Sequence, residues 1–501
     1  MVSQMSSTSW RRSARGSASV SAAANVLMEE TLTIVPPKDK PGAGAVVSSV
    51  YFLTFSAARF SPHSARMKHQ TRYGSLPATL FTQNRARLKS LLQSNSLAVV
   101  GSNDILPTNA DGSLRLVANS DLFHLTGLEQ EQTMLLLYPE AHDEKLRELL
   151  FIRDVHPDIE TWEGHKLTKE EARAISGVER VHWLSEFPRI FHRLMCECAH
   201  VYLNANEHKR AVIEVETREA RFVADTLRRY PLHDYHRLAP LLHQTRVVKS
   251  ADEIAVLRKA CALTGRGFQR LLRFVKPGVN EVEVEAELAH EFIRGGGGFA
   301  YTPIIARGVN ACALHYIANC DECRKGDLLL LDVAASYANY NSDMTRTIPV
   351  SGKFTPRQKA VYNAVLRVFR QSCDNLKPGK LVKDWQKEAE AMIEKELVDL
   401  KLITTRAIRK QNPDNPAFRQ YFMHGLGHPI GLDVHDVGLT TEPMEAGWVM
   451  TVEPAIYIRE EGFAVRLENT IVVGEDGNTD LMADIPIEAG EIEALMKRKS
   501  K

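Results

Sequence analysis

The chain is short of several things at once. Its 501 residues include seven cysteines. That odd and thinly spread set excludes a disulfide framework and fits a reducing compartment. Cys196-x-Cys198 and Cys320-x-x-Cys323 have no second pair at structural-zinc spacing. No apolar run reaches the roughly 20 residues that a membrane span needs. The stretch 45–58 comes nearest in the N-terminal part, and Ser48, Ser49, Thr54 and Ser56 interrupt it. Neither charge sign dominates: 63 basic and 62 acidic residues leave a net charge of +1. The clear basic excess of a dedicated nucleic-acid binder is therefore missing. The four glycines 295–298 lack the Lys-Ser/Thr of a phosphate loop. They read as a flexible stop to the helix before them.

What is present is ordinary globular material, 44% hydrophobic and 25% charged, long enough for two to four domains. Residues 1–66 stand apart. The first 28 carry eight Ser, three Arg and no acid, the composition of a transit peptide. A disordered tail, or an upstream start preceding a true start at Met67, fits the same residues. We divide the chain into a disordered or targeting extension over 1–72, an N-terminal domain over 73–245 and a catalytic domain over 246–495.

The N-terminal domain reads as an α/β unit. It has a helix over 82–92, buried strands over 97–100 and 133–138, and helical patterns over 168–175 and 211–229. Ser250 followed by Glu253 forms a capping-box signature for a helix over 251–274, and Pro277-Gly278 stops it. A second helix runs over 281–294. Strands follow over 302–306, 328–335, 345–350, 448–457 and 464–473, interrupted by helices over 357–376 and 383–400. This is an α+β pattern with mainly antiparallel strands.

Acids and histidines gather at the ends of these strands. Asp332 follows Leu328–Leu331, and an ionised carboxylate ending a buried strand needs a partner. Asp343 lies beyond the turn-like segment 336–341. A hairpin centred on 337/338 sets Asp332 directly opposite Asp343, with Cβ atoms about 5 Å apart. By the same reasoning Glu453 and Glu468 face each other across a hairpin centred on 460/461, beside Gly462. Carboxylates that close repel unless a proton or cation lies between them. Between the two acidic hairpins runs His424-Gly425-Leu426-Gly427-His428-Pro429-Ile430-Gly431, too rich in Gly and Pro for a helix. His435 and His315 complete the set, while Asp433 and Asp436 read as hydrogen-bonding turn residues. Four carboxylates and one histidine suit Mn²⁺ or Co²⁺ and, less well, Zn²⁺. Bridging carboxylates suit two ions and metal-assisted hydrolysis.

These motifs resemble the Xaa-Pro aminopeptidases (aminopeptidase P), dinuclear metallopeptidases of the pita-bread fold. The resemblance rests on Leu331-Asp332-Val333, Ser342-Asp343-Met344-Thr345-Arg346-Thr347, His424-Gly425-Leu426-Gly427-His428, Val434-His435-Asp436-Val437-Gly438, Thr451-Val452-Glu453-Pro454 and Val465-Arg466-Leu467-Glu468-Asn469. Upstream, 119–127 and Trp162-Glu163-Gly164 are similar to that family's creatinase-like N-terminal domain. The resemblance implies a smaller α/β creatinase-like domain before an α+β pita-bread domain. It implies five metal ligands: Asp332, Asp343, His428, Glu453 and Glu468. Glu453 is also the implied proton acceptor for a metal-bridging hydroxide. His315, His424 and His435 match substrate-side histidines that hold the peptide and stabilise the tetrahedral intermediate. Arg466 and Tyr301 support or line the site. The implied cofactors are two divalent ions, manganese first and Co²⁺ or Zn²⁺ next. The implied substrates are peptides with proline second. The expectation includes a homodimer or homotetramer, no nucleic-acid or membrane partner, and a cytoplasmic location, or a mitochondrial one if 1–66 is a real transit peptide.

Ala455 stands where that family usually has glycine, and Ala334-Ala335 replaces a glycine-containing pair. Both changes keep small side chains. A prolidase cleaving Xaa-Pro dipeptides is the alternative, and His428-Pro429-Ile430-Gly431 resembles prolidases as much. The long N-terminal domain speaks against a methionine aminopeptidase. The intact ligand set speaks against a metal-free binding protein of the same fold.

Overall fold

A computed structural model describes residues 71–497, apart from 211–213 and 439. The extension expected over 1–72 lies outside the described residues up to position 70, and so does the start of the helical pattern expected from 211.

The N-terminal half is built on a six-stranded mixed sheet. Its strands are β1 (Ser96–Gly101), β2 (Met134–Leu137), β3 (Glu148–Ile152), β4 (Val181–Trp183), β5 (His200–Leu203) and β6 (Asp234–Arg237), in the order β4-β3-β2-β1-β5-β6. β1 and β2 are apolar on both faces because both faces are covered. Ala98, Val100, Leu135 and Leu137 pack with Leu88, Leu122 and Leu125. Leu97, Val99 and Leu136 pack on the opposite side with Phe191 and Leu194. The helix Arg218–Arg229 is shorter than expected; Thr217 caps its N-terminus through Ala220 N.

The C-terminal half opens with helix Ala251–Phe274, which starts at the expected Ser250/Glu253 capping box. Helix Glu281–Arg294 packs along it. The glycines after it do stop the helix, with Gly295 as its C-cap, and the next two also serve close packing. A Cβ on Gly296 would lie 2.2 Å from Arg72 O, and one on Gly297 2.2 Å from Ser336 O. Backbone packs there too closely for any side chain.

The strands of this half are antiparallel: β7 (Gly298–Phe299), β8 (Ile304–Arg307), β9 (Leu328–Asp332), β10 (Ala335–Tyr337), β11 (Tyr340–Asn341), β12 (Thr345–Pro349), β13 (Val449–Val452), β14 (Ala455–Ile458), β15 (Phe463–Arg466), β16 (Asn469–Val472) and β17 (Thr479–Asp480). Helices Pro356–Asn375 and Val382–Asp399 pack on each other, and the first also touches β13, β14 and β15.

Three strands expected to be continuous are broken. One run divides into β9 and β10. The other two divide into β13/β14 and β15/β16, at Glu453-Pro454 and at Leu467-Glu468. Proline has no N–H for a ladder, and the backbone at each glutamate is taken up elsewhere. Glu453 N donates to Leu426 O (2.8 Å) and Glu468 N to Thr345 O (3.0 Å).

The two hairpins differ in how their registers compare with expectation. Val452↔Asn469 and Ala455↔Arg466 belong to one common register, so Glu453 and Glu468 stand opposite each other in the gap between the ladders. The first hairpin turns one residue later than expected, at Ala338-Asn339. Both residues have positive φ, 50° and 62°, the two-residue turn that matches strand twist. Asp332 therefore pairs with Thr345, not with Asp343. Asp343 is a diagonal neighbour, and it reaches the site through its side chain.

No helix among the described residues is long and apolar enough to cross a membrane.

Candidate active site

A cavity of about 480 Å³ opens where these strand ends meet. Tyr301, His315, Asp332, Asp343, His424, His428, His435, Glu453, Arg466 and Glu468 all line it. Every site residue expected from the sequence is thus brought to one place. Asp343, His428 and Glu468 offer ligand atoms within 4.8 Å of one another.

The acids are held by few donors. Tyr301 Oη lies 2.6 Å from Asp332 Oδ1 and 2.6 Å from Asp343 Oδ1. Its single proton cannot serve both fully. Arg466 Nη2 donates to Asp332 Oδ2 and Thr345 Oγ1 to Glu468 Oε2 (2.7 Å). Burial first, and then Asp332, push Asp343 up to about 8. Burial, with Glu468 next, raises Glu453 far above the usual carboxylate range, and burial with Asp343 does the same to Glu468. Burial acts against the charge of Arg466, but Tyr457, Asp332, Glu468 and Glu453 overcome it and hold the guanidinium firmly protonated.

The histidines are oriented by their other ring atoms. His428 Nδ1 lies 2.9 Å from Pro429 O and donates to it. Its Nε2 therefore presents a lone pair, 3.5 Å from Asp343 Oδ2 and 3.8 Å from Glu453 Oε1. Burial lowers its pKa, which keeps the ring neutral. A lone pair facing acids that burial forces to keep their protons is an arrangement that a cation satisfies in place of those protons. The donor set, four carboxylates and one imidazole, fits hard divalent ions. Burial lowers His424 to about 4; its Nδ1 meets Gly425 O (2.8 Å) and its Nε2 meets Tyr457 Oη (2.8 Å). Arg466 Nη1 in turn donates to Tyr457 Oη (2.8 Å). His435 stacks on His428 with ring centroids 3.6 Å apart, and Arg210 Nη1 donates to its Nδ1 (3.0 Å). Burial, and then His428 and Arg210, lower His435 to about 2.

Sequence reasoning missed Arg210, Tyr457 and Thr345. Arg210 comes from the N-terminal half, more than 200 residues from the histidine it touches, and no local pattern marks it. Tyr457 and Thr345 sit at strand positions that read as ordinary core. Asp433 and Asp436 also do more than shape a turn. Arg246 pairs with Asp121 (2.8 Å), Asp433 (2.7 Å) and Asp436 (2.5 Å), and Lys249 pairs with Asp436 (2.8 Å). Ser120 Oγ donates to Asp433 (2.7 Å). The His435 loop is thereby fastened to the N-terminal half.

An antiparallel α+β domain whose strand ends converge on carboxylates and a neutral imidazole defines a metallopeptidase of the pita-bread class. Residues 255–475 match the model of metallopeptidase family M24, and residues 81–202 match that of the aminopeptidase P N-terminal domain. The chain is 33% identical to the Xaa-Pro aminopeptidase of Haemophilus influenzae over 84% of its own length and 98% of that protein. It is 28% identical to human Xaa-Pro aminopeptidase 3, over 84% and 86% respectively. Among solved structures, zinc-substituted Escherichia coli aminopeptidase P in complex with product superposes with a TM-score of 0.76 at 32% identity, covering 85% of this chain and all of that one. The chain belongs to the aminopeptidase P family of M24 metallopeptidases. It is a metal-dependent aminopeptidase.

Proposed function

We propose that this aminopeptidase removes the N-terminal residue from peptides whose second residue is proline, with two divalent ions held by Asp332, Asp343, His428, Glu453 and Glu468. The observation that carries the ligand assignment is the His428 lone pair turned toward Asp343 and Glu453 among buried acids with too few donors. When bound, the ions supply Lewis acidity toward the scissile carbonyl and toward water. Glu453 accepts the proton of the attacking water and returns it to the departing proline nitrogen. Arg210 occupies Nδ1 of neutral His435, so the ring proton sits on Nε2, a donor for the developing oxyanion. His424 has both nitrogens engaged and orients Tyr457. His315, exposed at the cavity wall, meets the peptide, and Tyr301 and Arg466 hold Asp332 and Asp343 in place. The oxygen-rich donor set favours Mn²⁺, with Co²⁺ or Zn²⁺ as substitutes.

The domain limits 73–245 and 246–495, a homodimer or homotetramer, and a cytoplasmic location, with a mitochondrial form as alternative, belong to the same proposal. The full chain is stripped of metal and refilled separately with Mn²⁺, Co²⁺ and Zn²⁺. It is then given an Xaa-Pro-Xaa tripeptide, its Xaa-Ala-Xaa counterpart and an Xaa-Pro dipeptide. Tripeptide cleavage that requires proline and disappears in Asp343→Ala is the expected result. Cleavage of the dipeptide alone makes the enzyme a prolidase, and indifference to proline overturns the substrate assignment.

A further inference from the structure

We propose that His200, Asp234 and His236 form a second, solvent-open metal site on the N-terminal sheet, for a divalent transition cation of the zinc type. β5 and β6 run parallel, with His200 opposite Asp234. Residues two apart on a strand share a face, so His236 joins them. The donor atoms already converge. His200 Nδ1 lies 2.9 Å from Asp234 Oδ2, and His236 Nε2 lies 3.1 Å from each of the other two atoms. Tetrahedral metal–ligand bonds of about 2.0–2.2 Å place neighbouring ligand atoms roughly 3.3–3.6 Å apart, so these three atoms need to spread by only a few tenths of an ångström. The three atoms therefore outline one face of a coordination sphere with little rearrangement.

The orientation of His236 supports this reading. Its ring stacks on Tyr202, with centroids 4.9 Å apart and planes at 25°. Its Nδ1 lies 3.5 Å from the Gln93 amide, which also meets Tyr202 Oη at 3.0 Å. Gln93 Nε2 faces both atoms and donates to Tyr202 Oη, so Tyr202 and Gln93 hold the ring in place with its Nε2 turned to His200 and Asp234, where a cation would replace the Nε2 proton. The side chains of His200, Asp234 and His236 remain 28%, 61% and 25% exposed, which leaves the outer positions to water. None of these residues lines the catalytic cavity. The two donor sets also differ in kind. Two imidazoles and one carboxylate select Zn²⁺, Ni²⁺ or Cu²⁺ over Mn²⁺, whereas the catalytic set is rich in oxygen. A cation here ties the outermost strand β6 to β5. β6 has four residues, of which Tyr235 alone is apolar.

Full-length protein loaded with Mn²⁺ is dialysed against buffered Zn²⁺, and bound zinc is counted by mass spectrometry. The comparison is wild type against His200→Ala/His236→Ala, with Asp343→Ala as a background that disables the catalytic site. The wild type is expected to hold one zinc more per chain than the double variant in either background. Mn²⁺-supported peptidase activity stays unchanged in the double variant. Asp234→Asn keeps the hydrogen-bonding shape and loses the extra zinc; it decides the matter if the double variant loses activity through misfolding. Equal zinc counts in wild type and in a folded variant overturn the proposal and leave a hydrogen-bonded surface cluster.

Discussion

His428 illustrates how much a single backbone choice controls. Its Nε2 lone pair reaches the carboxylates because the chain from His424 to His428 passes hard against β13. Gly427 permits that approach: a Cβ there would lie 2.0 Å from Thr451 O, a backbone atom that cannot step aside. Gly425, two residues earlier, has nothing nearer than Gln386 Oε1 at 4.0 Å. Gly427→Ala is therefore expected to displace His428, lower bound metal and cost about 100-fold in kcat/KM. Gly425→Ala keeps its metal and most of its activity. Metal content and kinetics on the two variants check this directly, and equal behaviour refutes it. Arg210 gives a second residue-level expectation. Arg210→Met frees His435 Nδ1, so the ring proton is no longer confined to Nε2. One charge-assisted hydrogen bond is worth about 1.5–3 kcal/mol. A fall of roughly tenfold or more in kcat/KM at constant metal content is expected from steady-state kinetics with metal analysis, and a loss of metal instead points to a structural role.

At the level of elements, the acids and histidines of the candidate site and their gathering at strand ends were legible in the sequence, because buried apolar runs ending in acids are rare without a partner. The Glu453–Glu468 register was legible too, since Gly462, with φ of 70°, marks a turn that symmetry about 460/461 requires. The Asp332–Asp343 register was not. Its turn falls on Ala338-Asn339, and alanine gives no warning of a positive φ. Strand breaks at Glu453 and Glu468 were hidden as well, since hydrophobic pattern continues through them while the hydrogen bonds change partners. The ion-pair knot of Asp436 was illegible for another reason: its cations lie over 180 residues upstream. That knot carries a prediction. Asp436 is buried between Arg246 and Lys249, and it is the one carboxylate paired with Lys249 among the described residues. Burial works to raise its pKa, but Lys249 and Arg246 outweigh it and hold Asp436 near 2. A carboxylate depressed below its unfolded value of 3.8 stabilises the fold above pH 3.8, and that share is lost as pH falls through about 2. Asp436→Asn leaves two buried cations short of an anion and costs about 3–5 kcal/mol at neutral pH. Urea unfolding of the metal-loaded protein measures it; a change below about 1 kcal/mol, on the scale of exposed pairs, contradicts the account.

Across the whole molecule, the candidate active site is a liability that the rest of the fold sustains. Asp343, Glu453 and Glu468 are buried together and shifted upward by burial and by neighbouring acids, Asp332 for Asp343, Glu468 for Glu453 and Asp343 for Glu468, whereas His424, His428 and His435 are shifted downward. The two groups affect stability in separate pH ranges. The histidines bind protons less readily folded than unfolded, so their contribution is complete above the unfolded value of 6.5 and changes little beyond it. Asp343 binds its proton more tightly folded. Its contribution is full below 3.8 and is lost as pH rises through about 8. Between about pH 6.5 and 9, metal-stripped protein is therefore expected to melt at progressively lower temperature as its acids are forced to ionise beside one another. Saturating divalent ion supplies the missing positive charge, raises the melting temperature and flattens that slope. Asp343→Asn, stripped of metal, loses part of the slope because one of the repelling carboxylates is gone. Thermal unfolding of the stripped protein, the refilled protein and the Asp343→Asn variant across this range tests all three statements together. A stripped protein whose melting temperature stays level from about pH 6.5 to 9 contradicts the buried-acid reading of the centre, because a carboxyl group released from its proton near 8 must register in that window.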